Sequence, residues 1–457
     1  MANKDVLELI GNTPIVEVKC FDIGQSRLFL KLENQNPGGS IKDRIALSMI
    51  EQAEKRGQIK PGDTLIEATA GNTGLGLALV AAQKGYKLLL VIPDKMSREK
   101  IRHLKAMGAK VVMTRSDVEK GHPEYYQDYA KRLSQEIPNS YYIDQFNNPD
   151  NPLAHETSTG PEIWQQMNHD VDAMVVGVGS GGTIGGLTRF FKKVSSQVEF
   201  VLADPRGSIL CDFVKSGKLG SAGSWLVEGI GEDFVPAQAD FSLVKASYSI
   251  SDEESFQMCR TLLMKEGILA GSSSGVLIAA AVRYARESKR PKKIVTFVCD
   301  SGNKYLSKLY NDQWLADHGL IITEKLGDLR DLIVAKYDEQ AVVSVARDDS
   351  IGTAYSRMKL YDISQLPVLD GDRIVGIIDE SDILLRVTSS DQNAFTEKVE
   401  TCMSSDLVMV PPRSPIDTAI SILQKGLVVI VADKNRFYGL ITRIDLLNYL
   451  RRQMKGQ

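Results

Sequence analysis

The sequence predicts an α/β protein: a doubly wound domain with a largely parallel sheet over residues 11–310, followed by a smaller module. Three observations carry this. Seven short runs, LFLKLE (28–33), TLIEA (64–68), KLLLVIP (87–93), KVVMT (110–114), AMVVGVG (173–179), FVLADP (200–205) and KIVTFV (293–298), are continuously apolar rather than alternating, as expected of parallel strands covered on both faces. Helical stretches such as 41–56 and 74–84 separate them, which gives a β-α-β rhythm and puts ligands at the carboxyl ends of strands. After about residue 315 the texture changes: VVSVARDDSIGTA is echoed by LVMVPPRSPIDTA, and GIIDESDILL by GLITRIDLLN, placing Thr353 against Thr418 and Asp382 against Asp445. Two copies are too few for a solenoid, so the pair is expected to close on itself.

Composition bounds the function. At roughly 150 residues per domain, 457 residues predict two to four domains. Lys and Arg number 55 against 58 Asp and Glu, a net charge of −3, which excludes a bulk cationic surface for nucleic acid. No apolar run approaches the ~18 residues that span a bilayer, so no membrane partner is expected. The start, MANKDVLELIGNTP, has an acid at Asp5 and no apolar signal core. Cysteines at 20, 211, 259, 299 and 402 show no close pair, and the five histidines are scattered. That pattern predicts a reduced, cytoplasmic chain with no disulfide framework and no metal site.

Four motifs carry candidate chemistry. In NPGGSIKDR (36–44) a Gly-Gly turn delivers Ser40 and Lys42 to a helix start, with Asp43 in the first turn. A capped helix with a surface lysine explains this; so does a Schiff-base lysine, desolvated enough to lose its proton near neutral pH. EATAGNTGLGLAL (67–79) runs from strand to helix across Gly71, Asn72, Thr73 and Gly74. Exposed N–H groups there suit a carboxylate, although a tight turn alone also needs Gly and Asn. GVGSGGTIGG (177–186) offers consecutive N–H groups and the hydroxyls of Ser180 and Thr183, a natural phosphate cradle. It also satisfies GxGxxG through Gly177, Gly179 and Gly182, with Asp204 ending a later strand, so a dinucleotide oxidoreductase competes. LAGSSSG (269–275) is a hydroxyl cluster that serves equally as a loop and cap or as a neutral partner for a ring nitrogen.

Together, in this order and spacing, the four motifs resemble the fold-type II pyridoxal-phosphate enzymes of the cysteine synthase and cystathionine β-synthase family, whose fold is tryptophan synthase β-like with two doubly wound subdomains. The resemblance covers residues 5–320, and the C-terminal repeat resembles a tandem CBS-domain module. It implies Lys42 as the lysine that holds pyridoxal 5'-phosphate as an aldimine and acts as base. It implies Asn72 beside the ring hydroxyl, Gly179, Ser180, Gly181, Gly182 and Thr183 around the phosphate, and Ser273 facing the pyridine nitrogen. Thr69, Ala70, Gly71, Thr73 and Gln145 fall where the family holds the substrate carboxylate, and Gly229 and Glu232 in EGIGEDF (228–234) on the loop over the amino acid.

Two positions depart from the pattern. Ala70 replaces a serine, so one hydroxyl donor is lost, and Glu232 stands where animal members carry an aromatic residue. No Cys/His pair precedes Asp5, so no haem is expected. The resemblance implies a lyase joining L-serine and L-homocysteine into L-cystathionine and water, releasing hydrogen sulfide when cysteine replaces serine. The rival is a cysteine synthase using O-acetylserine and sulfide; a nucleotide-sensing protein with an inactive core is a third reading. In the second repeat, Thr442 and Asp445 match the pattern that meets an adenosyl ligand, S-adenosylmethionine or AMP-like. In the first, Asp379 stands at the hydroxyl position and would repel phosphate. Asp445 also reads as an ordinary helix-start residue. The expected organisation is a homodimer with a catalytic domain over 1–320, a linker over 321–335 in which KLGDLRDLI (325–333) reads as a helical connector, and repeats over 336–395 and 396–457.

Overall fold

The computed structural model describes residues 5–69, 71–94, 98–118, 121–321, 326–334, 336–339, 341–389, 393–434 and 436–455. The chain divides into two compact units, Met1–Asn311 and Asp312–Gln457. The short helix Asp312–Asp317 therefore falls with the second unit, before the boundary read from the sequence.

Among the described residues the first unit holds ten strands: β1 (Ile15–Val18), β2 (Arg27–Leu32), β3 (Thr64–Ala68), β4 (Lys87–Pro93), β5 (Lys110–Thr114), β6 (Ser140–Tyr142), β7 (Ala173–Val176), β8 (Glu199–Pro205), β9 (Val244–Ile250) and β10 (Lys293–Val298). They form a parallel four-stranded sheet, β5-β4-β3-β6, and a six-stranded sheet, β1-β2-β10-β7-β8-β9, in which only β1 runs antiparallel. All seven apolar runs are strands. The three strands that the sequence did not announce, β1, β6 and β9, all lie at sheet edges, where cover on two faces is incomplete and no continuous apolar run is needed.

Two helices position the site. Helix Lys42–Lys55 buries Ile45, Ala46, Met49, Ile50 and Ala53, one face at helical spacing. It packs on helix Asn72–Lys84 so closely that a Cβ on Gly76 would lie 3.0 Å from the Lys42 carbonyl oxygen. Lys42 and Asn72 are thus the first residues of two neighbouring helices.

In the second unit β11 (Val345–Ala346), β12 (Gln365–Asp370) and β13 (Arg373–Asp379) form one sheet, and β14 (Met409–Val410), β15 (Val429–Ala432) and β16 (Phe437–Ile441) another. Each has a parallel pair followed by an antiparallel pair. Leu369 and Ile374 of the first copy share a core with Ile430, Ala432 and Phe437 of the second, so the repeat closes on itself. The helical connector expected over 325–333 is corrected. Residue 325 lies outside the described residues, and the remainder forms a single 3₁₀ turn, Leu329–Asp331. Leu329, Leu332 and Ile333 have helical spacing because that turn buries them in the core of the second copy. Among the described residues no helix is long and apolar enough to cross a membrane.

Candidate active site

Three chain turns converge on one cavity. The first leads into helix Lys42–Lys55. Ile41 N–H donates to the Cys299 carbonyl (2.9 Å) and Lys42 N–H to Ser40 Oγ (3.2 Å), which ties this helix start to the end of β10. Burial pushes the Lys42 amine below its ordinary pKa, while Cys299, Asp300 and Glu232 oppose the shift. The neighbouring Asp43 accepts from Gly38 N–H (2.6 Å), and burial lifts its carboxyl to about 7.

The second turn joins β7 to helix Gly182–Val194. Gly181 has φ of +84°, a conformation that few side chains accept. A Cβ on Gly182 would lie 1.8 Å from Asn151 Oδ1, so only glycine fits. Asn151 Nδ2 donates to Ser180 Oγ (3.0 Å) and to the Gln145 carbonyl (2.8 Å). His155 Nε2 lies 3.3 Å from Thr183 Oγ1, and its Nδ1 lies 2.9 Å from Thr159 Oγ1. Burial drives this imidazole well below its usual pKa, so it is neutral. Asn151 and His155 flank the loop because the chain passes from the helical turn Asp150–Ala154 into a π-helical turn, His155–Thr159.

The third turn joins β3 to helix Asn72–Lys84. Asn72 Nδ2 donates to Asp300 Oδ2 (2.9 Å), and its Oδ1 accepts from Lys304 Nζ (2.6 Å). Gly71 N–H donates to Thr69 Oγ1 (3.2 Å), Thr73 Oγ1 to Gln145 Oε1 (2.7 Å) and Gln145 N–H to Glu67 Oε2 (3.3 Å). Thr69, Gly71, Thr73 and Gln145 are therefore gathered at one place; Ala70 lies outside the described residues. Glu67, fully buried beneath them, has its carboxyl raised to about 8 by burial.

Lys42, Asn72, Gly179, Ser180, Gly181, Gly182, Thr183, Gly229 and Ser273 all line the cavity. The serines at the start of helix Ser272–Glu287 divide the work. Ser272 Oγ accepts from Glu228 N–H (3.0 Å), Ser274 Oγ from Cys299 N–H (3.0 Å), and Ser273 is the cavity serine. The loop bearing Glu232 is held by Ser208, whose Oγ accepts Glu232 N–H (3.0 Å) and donates to its carbonyl (3.1 Å). Glu232 Oε1 sits 3.9 Å from where a Cβ on Gly179 would be. Burial, with Asp233 and Asp204 adding, raises its carboxyl to about 8 against the pull of Lys42.

Asp204 behaves otherwise. It is fully buried, its Oδ2 accepts Cys211 N–H (2.8 Å) and its carboxyl is raised to about 6 by burial. Its bond goes to the first turn of the helix Leu210–Ser216 and it does not line the cavity, so the GxGxxG reading lacks its acidic partner.

The residues fit pyridoxal phosphate. A helix N-terminus stripped of side-chain bulk at Gly182 suits a phosphate dianion, and a desolvated lysine opposite suits a carbonyl. Lys42 would hold the carbonyl carbon, Gly179–Thr183 the phosphate, Asn72 the ring hydroxyl and Ser273 the ring nitrogen. Sequence reasoning missed Asp300, Lys304, Asn151, His155 and Glu67. Asp300 and Lys304 had a usable signal, since CDSGNKY (299–305) follows the carboxyl end of β10, where ligands of such sheets bind.

Comparison with known proteins agrees with this geometry. The family described as pyridoxal-phosphate dependent enzyme matches residues 6–300, and the CBS domain matches 334–389 and 399–452. The chain is 36% identical over 469 residues to a cystathionine beta-synthase of Dictyostelium discoideum, covering 99% of this chain and 93% of that one. It is 38% identical over 418 residues to the cystathionine beta-synthase of Saccharomyces cerevisiae, covering 85% and 82%. Among solved structures, a hydrogen sulfide-producing enzyme from Fusobacterium nucleatum superposes with a TM-score of 0.62 at 37% identity, covering 67% of this chain and 100% of that one. An O-acetylserine dependent cystathionine beta-synthase from Helicobacter pylori gives a TM-score of 0.62 at 37% identity, covering 67% and 98%. The cavity, its three turns and the C-terminal repeat thus fall within one lineage, and the chain belongs to the cystathionine beta-synthase family of pyridoxal-phosphate dependent enzymes.

Proposed function

We propose that this chain catalyses β-replacement, joining L-serine and L-homocysteine into L-cystathionine with loss of water. The observation that carries the reading is a desolvated lysine, Lys42, lining one cavity together with the glycine-built helix start Gly179–Thr183. Relatives that span nearly the whole chain, repeat included, are named for this activity. When bound, pyridoxal phosphate supplies an electron sink for the negative charge that develops at the substrate Cα.

The chain's own residues supply the rest. Thr69, Gly71, Thr73 and Gln145 hold the substrate carboxylate, which orients the Cα–H bond towards Lys42. The Lys42 amine, its pKa lowered by burial, takes the Cα proton. The β-hydroxyl leaves as water, made up by the proton that the homocysteine thiol gives up, the sulfur adds at Cβ, and Lys42 returns its proton to Cα. Ser273 would offer the ring nitrogen a neutral hydroxyl, so positive charge there would not be held by an acid. Glu232 and Gly229 cover the amino-acid substrates.

A second reading keeps the chemistry and changes the leaving group. The Helicobacter pylori relative is O-acetylserine dependent, and cysteine synthase chemistry would use that donor with sulfide. Initial rates with serine, O-acetylserine and cysteine, each with homocysteine or sulfide, separate these. Serine with homocysteine fastest is the expected result; O-acetylserine with sulfide fastest would replace the proposal. Hydrogen sulfide release from cysteine is expected as a side activity.

The same reading includes an adenosyl ligand on the repeat pair and a cytoplasmic homodimer, the setting supported by five unpaired cysteines. Asp445 Oδ2 accepts both N–H (2.7 Å) and hydroxyl (2.6 Å) of Thr442, so it already caps helix Arg443–Lys455. Asp379 and Asp382 make the reciprocal bonds in the first copy (2.9 and 3.0 Å). Calorimetric titration with S-adenosylmethionine and AMP tests the site: binding that Asp445→Ala weakens is expected, and no binding by the parent would leave the pair structural.

A further inference from the structure

We propose that Asp300 and Lys304 are positioning residues for Asn72, clamping its side-chain amide from both ends so that an N–H faces the cavity. The proposal rests on the reading of Asn72 as the partner of the cofactor's ring hydroxyl and names the groups that enforce it.

An asparagine amide has an acceptor end and a donor end of nearly equal shape, and a free one adopts either orientation. Here Oδ1 accepts from the Lys304 ammonium at 2.6 Å, while Nδ2 donates to the Asp300 carboxylate at 2.9 Å. Reversing the amide would set carbonyl oxygen against carboxylate and NH2 against ammonium, turning two charge-assisted bonds into two repulsions. One hydrogen of Nδ2 is used by Asp300. The second remains for the cavity that Asn72 lines.

Asp300 is itself held from several sides. Its Oδ2 also accepts from Tyr305 OH (2.8 Å), its carbonyl accepts from Gly271 N–H (3.0 Å), and it forms a β-bridge with Ser40. A Cβ on Gly271 would lie 1.8 Å from Asp300 Oδ1, so the backbone there is bare where the carboxylate sits. That Oδ1 is buried with no hydrogen-bond partner. An unsatisfied oxygen on a buried acid is costly, and a merely structural acid at this place could be replaced by an amide or an apolar side chain. Lys304 also reaches the Gly39 carbonyl (3.4 Å), on the turn that precedes Lys42. One segment beyond β10 therefore touches the turns that lead to Lys42, Asn72 and Ser273.

The test uses the full-length chain, stripped of and reloaded with pyridoxal phosphate, as parent, Lys304→Met, Asn72→Ala and the double variant. Affinity is read from tryptophan fluorescence, the visible band of the bound cofactor from absorbance, and folding from the melting temperature. Lys304→Met should weaken cofactor binding about tenfold, as loss of a charge-assisted hydrogen bond does, and shift the visible band at full occupancy. In the Asn72→Ala background the same change should add less than about twofold, because residues acting through one group are not additive. A further tenfold loss there overturns the clamp and leaves the reading of Asn72 standing. An Asn72→Ala chain with unchanged affinity and band overturns both. Asp300→Asn keeps the shape and removes the charge; it should weaken binding and shift the band in the same sense and give the same non-additivity with Asn72→Ala. Unchanged affinity and band in either Lys304→Met or Asp300→Asn overturns the proposal.

Discussion

Two strand-to-helix turns face the same cavity and are built on opposite principles. The turn after β7 is made of backbone: Gly181 takes a left-handed conformation and Gly182 leaves room for Asn151. The turn after β3 is made of side chains: Asn72 stands between Asp300 and Lys304, and Thr73 meets Gln145. A backbone cradle tolerates no added atom, whereas a side-chain turn tolerates bulk on its glycine but not loss of a remote partner. That difference orders the consequences of mutation.

The largest effect falls on neither turn but on the residue facing both. Lys42→Ala should fold normally and lose at least ~10³-fold in turnover, because base and covalent anchor vanish together. Near-normal turnover with serine and homocysteine would remove Lys42 from the chemistry. Next comes Gly182→Ala, whose methyl group would overlap Asn151. Displacing Asn151 removes its bonds to Ser180 and to the Gln145 carbonyl, which keeps only that from Gln238 Nε2, so cofactor affinity should fall by about 10- to 100-fold, the size of one or two lost hydrogen bonds plus strain. Equilibrium reloading of the stripped protein measures this, and an affinity within twofold would deny the cradle its tight fit.

A smaller effect tests the loop that bears Glu232. The Glu232 carboxyl, held up to about 8, is neutral below that pH and ionised above it. An ionised carboxylate attracts the ammonium of an incoming amino acid, so KM for homocysteine should fall several-fold as pH rises through 8. Glu232→Gln has no such group, and the difference between the two KM profiles should vanish at low pH. Identical profiles at all pH values would place Glu232 away from that substrate. The smallest effect belongs to Gly71→Ala. Gly71 has φ of −99°, and among the described residues its added Cβ would meet only Thr69 Oγ1, at 3.8 Å. Cofactor affinity should change by less than about twofold, since no atom must move; a tenfold loss would mean that this turn is a backbone cradle like the other.

The same contrast explains what the sequence disclosed. Gly177–Thr183 was legible because its constraint is local: a glycine run after an apolar strand has few physical uses. Lys42, Asn72 and Ser273 were legible as positions in motifs, but their supports were not. Asp300 meets Asn72 across 228 residues of chain, and nothing in CDSGNKY alone names its partner. Asn151 and His155 lie in an unremarkable polar stretch, and only the π-helical turn between them and the loop gives them meaning. In the fold, central strands announced themselves by burial on both faces, while β1, β6 and β9 did not. The leucine spacing at 329–333 signalled a buried face correctly and its length incorrectly, because one 3₁₀ turn and a longer helix begin with the same pattern.

The run Ser272-Ser273-Ser274 has a consequence for insertion and deletion. Successive residues on a helix point about 100° apart, so three identical side chains face a loop, a cavity and a strand end. Their assignment is one of phase, not of composition. Removing one residue just before the run would leave a serine at most positions and the hydroxyl count nearly intact. It would still rotate every hydroxyl onto its neighbour's task, uncoupling the Glu228 loop from Cys299. Such a change would pass unnoticed in a tally of conserved letters and register only as an error of rotation.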